Sequence, residues 1–544
     1  MLEFQNKVAL ITGSGTGIGM TVAKKFVENG ASVIILGRRK EPLESTSQML
    51  NEIINEKQTN GFVKIFSGVD VSDEKSITEM FDSLKNENIN VDIVVNNAGV
   101  SGPVTCFAHA PLDDFRSTVD IHLTGTFWTS VQALKTMKEG GKIITISTFF
   151  AEERPLEQRP YRFRGPYTAS QGAKNRLVEA MSWELTEKGI VSIGTNPGPV
   201  HSDRIYKTVY PKAASEFLRV SGFEELSPSE VEAANKEVVG LLGEDDQTIK
   251  DGIKSTAEKL GKPETTLTNL LNKVQYIAEK IQKNTSTMIP DQQFLSQDQV
   301  ATTILTLAGD KQSKILNGKI IPGDRVFYAV KSYITSYIPK IEKNNFDGIT
   351  CMITNDESDD AIQKATNLKL VLEKRGAKVI DSGSESNTLF IHITGNVPEF
   401  SKLTELTRNE WDGLVNKFIN KPAQVAQNAM EIFVPGGSDD PRLFKDAKGR
   451  IVIIGPDLPT GKKVGGHERA KVEVFRGALR PFATTVNQEL SDVLKSNVRM
   501  FVILPGTVDG KEPNDENLIN AINYLVTDEA GTSSEVIFCP DESR

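Results

Sequence analysis

Residues 12–19, which read TGSGTGIG, decide the fold of this protein. Residues 7–11 before them are largely apolar and β-branched, as in a buried strand, whereas the residues after them have helical periodicity. In such a turn Gly13 permits the tight bend, Gly17 lets the backbone approach a phosphate, and Gly19 lets the helix pack closely on the strand. A helix N-terminus also favours an anion. The stretch therefore predicts a cradle for the pyrophosphate of a dinucleotide.

The first 200 residues alternate short β-branched runs with stretches of helical periodicity. This alternation is typical of an α/β protein with a Rossmann-type, doubly wound parallel sheet covered by helices on both faces. The predicted strands are residues 7–12, 31–36, 63–67, 91–95, 141–147 and 190–195, followed by a closing helix at 300–308 and a closing strand at 318–322.

The composition changes between residues 205 and 297, where lysine, glutamate, threonine and asparagine dominate. Residues 227–230 read SPSE, a capping box with proline at the first helical position. Apolar residues recur at helical spacing from 267 to 281. We predict a helical insertion, which serves either as a lid over a large substrate or as a packing or dimerisation subdomain.

The last 200 residues repeat the first part of the chain faintly. GKIITIS at 141–147 corresponds to GRIVIIG at 449–455. Where the second copy should carry its glycine loop, residues 354–358 read TNDES, and carboxylates there would repel a pyrophosphate. We therefore predict a dinucleotide-binding first domain at 1–204 and 298–330, a helical insertion at 205–297, and a degenerate second domain without a cofactor site at 346–544.

The composition of the 544 residues is that of an ordinary soluble protein, with 38% hydrophobic and 25% charged residues. A net charge of -9 argues against nucleic acid or an anionic membrane as the main partner. The cysteines, Cys106, Cys351 and Cys539, offer neither a disulfide framework nor the spacing of metal ligands. Without a leader or a membrane-length apolar run, we expect a cytoplasmic protein.

The residues after the second predicted strand indicate which dinucleotide binds. A carboxylate at this position selects NAD by accepting hydrogen bonds from the ribose hydroxyls. Residues 37–40 read GRRK instead, and Arg38 and Arg39 suit the 2′-phosphate of NADP(H). The alternative is a solvated run of charges. We expect NADP(H).

The order of these motifs resembles the short-chain dehydrogenase/reductase family. The resemblance rests on the TGxxxGxG spacing, Asp70-Val71, NNAG at 96–99 and Tyr167. It implies hydride transfer between a nicotinamide and a carbonyl, in a protein that forms homo-oligomers such as dimers. The residues that it implies for cofactor binding are Gly13, Ser14, Thr16, Gly17, Ile18, Gly19, Arg38, Arg39, Asp70, Val71, Asn97, Ala98, Gly99, Pro197, Gly198 and Val200.

The same resemblance implies that Tyr167 donates the proton and that Thr148, or its neighbour Ser147, polarises the carbonyl. The family carries a lysine four residues after the tyrosine, but this sequence has Gln171. A neutral amide can hold a ribose hydroxyl but cannot act on a phenol by charge. Lys174 shares the helical face, although it lies about 10 Å from Tyr167 along the axis.

A second departure is His122, which stands where the family has the asparagine of its proton relay. An imidazole can relay protons near neutral pH, or it can be a buried structural residue. Together with Gln171, it leaves open an alternative to catalysis: a catalytically impaired subunit that binds nucleotide or acyl-CoA.

A longer pattern is similar to the bifunctional malonyl-CoA reductases. It comprises STFF at 147–150, an arginine-rich insert, Gly165-Pro166-Tyr167, and PGPVHSDRI at 197–205. Each half of those enzymes is a tandem pair of short-chain dehydrogenase domains, the second degenerate. The resemblance implies NADPH-dependent reduction of malonyl-CoA to malonate semialdehyde, or of the semialdehyde to 3-hydroxypropionate.

Arginines lie where such a substrate must enter. Arg162, Arg164 and Arg204 are candidates to bind a carboxylate or the phosphates of coenzyme A, because their planar groups form paired hydrogen bonds with such anions. The alternative is that the arginines of the insert are surface residues paired with its glutamates, Glu152, Glu153 and Glu157.

Overall fold

The computed structural model describes residues 3–149, 162–200, 205–224, 226–287, 292–322, 346–381, 388–458, 466–505, 515–526 and 536–539. Its first sheet contains seven parallel strands, and every strand predicted for it begins and ends within two residues of an observed one. These strands are β1 Val8–Thr12, β2 Ser32–Gly37, β3 Val63–Ser67, β4 Ile93–Asn96, β5 Lys142–Ile146, β6 Val191–Asn196 and β7 Ile320–Pro322. Their order is β3-β2-β1-β4-β5-β6-β7. The winding reverses between β1 and β4, and this reversal opens a crevice at the carboxyl ends of the strands.

Helices cover both faces of this sheet. Alternate residues of a strand point to opposite faces, so Leu10 packs in one apolar cluster while Ala9 and Ile11 pack in another. The helices of the dinucleotide-binding unit are α1 Gly17–Glu28, α2 Lys40–Lys57, α3 Glu74–Asn86, α4 Leu112–Val119, α5 Gly125–Leu134 and α6 Gly165–Leu185. A π-turn at Asp120–Thr124 joins α4 to α5.

The segment between β6 and β7 is helical, as predicted. The capping box is present: the Ser227 side chain accepts from the Glu230 amide, and the Glu230 side chain accepts from the Ser227 amide. The insertion also has its own apolar cluster, to which the buried face of its longest helix contributes. The helices are α7 Tyr210–Ser221, α8 Pro228–Val238, α9 Asp246–Leu260 and α10 Glu264–Ser286, followed by α11 Gln297–Ala308 and α12 Asp310–Ile315.

A second parallel sheet forms the core of the last part of the chain. Its strands are β8 Thr350–Asn355, β9 Lys378–Ile380, β10 Leu389–Ile393, β11 Lys448–Ile454, β12 Asn497–Pro505 and β13 Val536–Cys539. Its helices are α13 Asp359–Lys374, α14 Arg408–Val415, α15 Lys421–Phe433, α16 Gly466–Gln488 and α17 Asp515–Leu525. The order β9-β8-β10-β11-β12-β13 repeats that of the first sheet, with no counterpart of β3 among the described strands. The matched sequences of the faint repeat therefore fall on corresponding strands, β5 and β11.

The two halves pack through corresponding helices. Helix α6 crosses α16 so closely that a Cβ on Gly172 would overlap the carbonyl oxygen of Gly477. Nearby, Phe127 stacks on Trp411 with ring centroids 3.7 Å apart, and the Trp411 indole donates to the Thr124 hydroxyl at 3.1 Å. The halves thus share one interior. Among the described helices, none is both long and apolar enough to cross a membrane.

Candidate active site

The turn between β1 and α1 has the geometry of an anion cradle. Gly13 and Gly17 have φ angles of 65° and 63°, which L side chains rarely adopt. A Cβ on Gly19 would lie 2.5 Å from the Gly13 carbonyl oxygen, so a side chain there would push the loop out of place. Within residues 3–149, all of which are described, α1 has no acidic residue in its first turn and its N-cap Thr16 makes no side-chain capping bond. Its first amides are therefore available to an anion.

Side chains under the loop fix its shape. The Ser14 hydroxyl donates to the Ile11 carbonyl at 2.8 Å and accepts from the Leu36 amide at 3.0 Å. The Asn97 amide group donates to the Thr12 carbonyl at 2.9 Å. These bonds tie the glycine loop to the ends of β2 and β4. Ser14 and Gly19 support the loop from below and do not line the cavity above it.

A cavity of about 1190 Å³ opens at the carboxyl ends of the first sheet. Pockets for a single drug-sized ligand have volumes of roughly 300–1,000 Å³. This cavity is larger, and a dinucleotide bound together with a substrate needs such a larger space. The sequence-predicted residues that line it are Gly13, Thr16, Gly17, Ile18, Arg38, Arg39, Asp70, Val71, Asn97, Ala98, Gly99, Pro197, Gly198, Val200, His122, Ser147, Thr148, Tyr167, Gln171, Lys174, Arg162 and Arg164. Arg204 lies outside the described residues, as do Glu152, Glu153 and Glu157.

The arginines after β2 stand at one end of this cavity. The Arg38 side chain is 63% exposed, and its Nη1 lies 3.7 Å from Asp70 Oδ2. An exposed pair at this distance contributes little to stability. The guanidinium is therefore available to a phosphate that enters the cavity.

The two departures from the family pattern contact each other. The side-chain nitrogen of Gln171 lies 3.0 Å from His122 Nδ1, and His122 Nε2 lies 2.9 Å from the Val100 carbonyl oxygen. The Val100 amide nitrogen also lies 3.2 Å from Nε2, so the tautomer of the imidazole decides which group of each pair donates the hydrogen bond. Both side chains are buried. Positions 122 and 171 thus form one hydrogen-bonded unit, which the sequence separation conceals.

Lys174 faces the same cavity but is bonded to the sheet. Its Nζ donates to the Ile146 carbonyl at 2.7 Å, and burial lowers its pKa to about 7. The Ser147 hydroxyl donates to the Gln171 carbonyl at 3.2 Å. The Ser147 proton is therefore directed at α6, whereas Thr148 lines the cavity beside it.

Tyr167 lies between an imidazole and a guanidinium. Its ring meets that of His122 edge-on, with centroids 5.2 Å apart. On the ring face, the Arg164 Cζ lies 4.4 Å from the centroid. Arg162 instead reaches the second half, where its Nη2 donates to Asp492 at 2.6 Å.

The model of the short chain dehydrogenase family matches residues 7–210. A 3alpha-hydroxysteroid dehydrogenase from Mediterraneibacter gnavus is 33% identical over 206 residues, which are 38% of this chain and 78% of that protein. This chain belongs to the short-chain dehydrogenase/reductase family. A 7alpha-hydroxysteroid dehydrogenase from Escherichia coli (strain K12) is 29% identical over 220 residues, or 40% of this chain and 80% of the relative.

Two solved structures share the fold of this short-chain dehydrogenase over almost its whole length. The C-domain of bacterial malonyl-CoA reductase, solved with NADP, has a TM-score of 0.70 and 17% identity, with 99% of both chains covered. The N-domain of bacterial malonyl-CoA reductase, also with NADP, has a TM-score of 0.68 and 15% identity, covering 99% of this chain and 98% of that domain. The fold likeness therefore extends beyond the family segment to the insertion and the second sheet.

The second half of this short-chain dehydrogenase contributes a carboxylate beside the site, which the sequence analysis missed. Glu489 Oε1 accepts from the Phe163 amide and Oε2 from the Phe107 amide, both at 2.7 Å. Glu489 is buried and lies more than 300 residues from either partner. No local motif in the sequence signals this contact.

The insertion also reaches the cavity. Ile205 and Val209 line it from the turn before α7, Tyr210 and Ala213 from α7 itself, and Ile281 and Thr285 from α10. The same helices pack on the insertion's own apolar cluster. The insertion therefore has a packed interior and also forms a wall of the cavity.

Because Glu489 is buried, its ionisation makes the stability of the folded protein depend on pH. Desolvation raises its pKa to about 8, against the opposing effect of the two amides. Since the carboxyl group has a pKa of about 4.3 in an unfolded chain, the folded state holds a proton that the unfolded state loses between these values. The resulting stabilisation is complete below about pH 4 and is lost as the pH rises through 8. We expect Glu489→Gln to remove this dependence, which amounts to about 5 kcal/mol in the free energy of unfolding for a pKa that rises from about 4.3 to about 8.

The measurement is a series of urea titrations of both proteins between about pH 5 and pH 9. The free energy of unfolding of the wild type should fall relative to that of Glu489→Gln as the pH rises. If the free energies of unfolding of the two proteins change with pH in parallel, the assignment of this pH dependence to Glu489 is wrong.

Proposed function

We propose that this short-chain dehydrogenase reduces a malonyl-type carbonyl compound with NADPH. The reaction is either malonyl-CoA to malonate semialdehyde or malonate semialdehyde to 3-hydroxypropionate. The observation that carries the proposal is that Tyr167 and Thr148 line the same cavity as the glycine loop. Further support comes from the two domains of malonyl-CoA reductase, which share this fold over their length and were solved with NADP.

The residues present fit this cofactor. The amides at the start of α1 suit a pyrophosphate, the absence of a side chain on Gly19 keeps the loop in place, and Arg38 and Arg39 suit a 2′-phosphate. When bound, NADPH supplies the hydride. Gln171 and His122 form the wall beside Tyr167, where the amide of Gln171 would bind a ribose hydroxyl.

The reaction needs a polarised carbonyl and a proton donor. Thr148 donates a hydrogen bond to the carbonyl oxygen, which strengthens as negative charge develops there. Tyr167 transfers its phenolic proton to the same oxygen, so that the carbon of the semialdehyde gains a hydride and its oxygen a proton, which gives the alcohol. With the thioester the same addition gives a hemithioacetal, which collapses to the aldehyde when its hydroxyl loses the proton, the C–S bond breaks and coenzyme A leaves as the thiol. The walls from α7 and α10 exclude water as a lid does, and Arg162 and Arg204 are proposed to bind the negative end of the substrate.

The test is NADPH consumption by the purified protein with malonyl-CoA and malonate semialdehyde offered separately. We expect NADPH to be oxidised in the presence of one of the two compounds, and the compound that is preferred identifies the reaction. If the protein binds NADPH and reduces neither, the proposal for these substrates is wrong. The catalytically impaired binding subunit, which Gln171 suggests, then becomes the better hypothesis.

Cofactor selection should depend on Arg38. Arg38→Glu places a carboxylate against the 2′-phosphate, and we expect the kcat/KM for NADPH to fall about 100-fold with a much smaller change for NADH. Lys40→Glu is the matched control, because Lys40 belongs to the same basic stretch but is paired with Glu44 and does not line the cavity. An equal loss for both cofactors in Arg38→Glu would contradict the assignment.

A further inference from the structure

The proton donor of this site needs a positive charge that the expected position does not supply. When Tyr167 releases its proton, a nearby cation stabilises the phenolate. Gln171 is neutral, and the Lys174 Nζ points to the Ile146 carbonyl. Burial lowers the pKa of Lys174 to about 7, so a large fraction of the molecules carries no charge on this residue at neutral pH.

A guanidinium lies on the ring itself. The Arg164 Cζ is 4.4 Å from the centroid of Tyr167, within the roughly 6 Å over which a cation and an aromatic face attract each other. Arg164 is only 5% exposed, so solvent ions screen this interaction little. Unlike Lys174, an arginine remains charged when buried.

We propose that Arg164 is the catalytic cation of this site, stabilising the phenolate of Tyr167 in place of a charge at position 171. The inference rests on the proposed function, because it assigns a role in the same proton transfer. It also changes the interpretation of Arg164, which the sequence analysis placed among the residues that bind the substrate.

The backbone holds Arg164 in this position from two sides. Arg164 is the N-cap of α6, so it stands three residues before Tyr167 on the same side of the helix. The preceding residue, Phe163, has a φ of 67°, a strained value for a residue with a side chain. Its amide donates to Glu489 at 2.7 Å and its carbonyl accepts from the Thr105 amide at 3.1 Å. Glu489 of the second half therefore helps to position the guanidinium of Arg164.

The other titratable groups around Tyr167 do not replace Arg164. His122 faces the ring edge from the π-turn, and its two ring nitrogens contact Gln171 and Val100. From the second half, Asp492 is bonded to Arg162, and Glu489 accepts backbone amides. Asp492 and Glu489 carry or can carry negative charge, which would oppose a phenolate. Between His122 at the ring edge and Arg164 over the ring face, the guanidinium is the group that stays charged over the whole pH range, so it favours the phenolate.

The activity test compares pH profiles in the direction of alcohol oxidation, for which Tyr167 must be ionised. Without the guanidinium the phenolate forms at higher pH. In a plot of kcat against pH, Arg164→Gln should therefore shift the rising limb to higher pH by about one unit or more. Arg164→Lys keeps a charge and should restore part of the shift. If Arg164→Gln instead raises KM for a carboxylate substrate and leaves the limb in place, the residue binds substrate and the proposal is wrong.

A second test needs no turnover. The difference in ultraviolet absorbance between the wild type and Tyr167→Phe, followed during an alkaline titration, reports the phenolate of Tyr167 in the free protein. The same difference measured in the Arg164→Gln background should have its midpoint at higher pH, and an unchanged midpoint would overturn the proposal. A shifted midpoint in a protein that reduces neither malonyl compound would refute only the substrate assignment.

Discussion

Tyr167→Phe is expected to lower carbonyl reduction about 10²- to 10⁴-fold while NADPH binding stays close to that of the wild type. The phenol is the proposed acid and lines the same cavity as Thr148, and phenylalanine keeps the ring with its contacts to His122 and Arg164. The substitution removes the hydroxyl group and with it the transferable proton. The measurement is the kcat of NADPH oxidation with the preferred malonyl compound, together with the Kd for NADPH from fluorescence titration.

The matched control is Tyr276→Phe, since Tyr276 lies on α10 with 58% of its surface exposed. This variant should reduce the substrate at the wild-type rate. Retention of full activity by Tyr167→Phe would contradict the role of Tyr167 as proton donor. Loss of NADPH binding in the same variant would show that the tyrosine acts on the cofactor site instead.

Gly172→Ala is expected to destabilise the protein by about 3 kcal/mol, the upper end of the usual cost of overpacking. The added Cβ would overlap the Gly477 carbonyl oxygen and lie 2.7 Å from Pro481 Cγ. Backbone and a proline ring cannot move aside as a flexible side chain can, so α6 and α16 must separate. Because α6 also carries Tyr167, Gln171 and Lys174, activity should fall with stability.

The measurement combines urea unfolding with NADPH oxidation by the folded fraction. Gly413→Ala is the control: Gly413 is also helical and nothing lies within 4 Å of where its Cβ would be. There the substitution should leave stability unchanged or raise it by up to about 1 kcal/mol, the helix preference of alanine over glycine. Similar stability of the two variants would show that the helices are not in close contact at Gly172.

The elements of the first half follow from local sequence. β-Branched runs form the strands, the glycine loop opens α1, and the capping box at Ser227 begins α8, because each pattern acts through neighbours in the chain. The faint repeat likewise predicted a second sheet, and the order of its strands bears this out. Among the candidate site residues, the motifs that follow β1, β4, β5 and β6 meet at one edge, as parallel topology requires.

The sequence by itself thus determined the family, the doubly wound parallel sheet of the first half and the group of residues around the cavity, since these depend on short motifs and on the rules of parallel sheets. Only the tertiary structure decided which side chains act on one another. His122 bonds to Gln171, Glu489 holds the backbone before Arg164, and Arg162 turns to the second half. Such contacts join residues that lie from tens to hundreds of positions apart. The first arises from the packing of the turn at 120–124 on α6 and the other two from the packing of the second half on the first, and no local pattern encodes either packing.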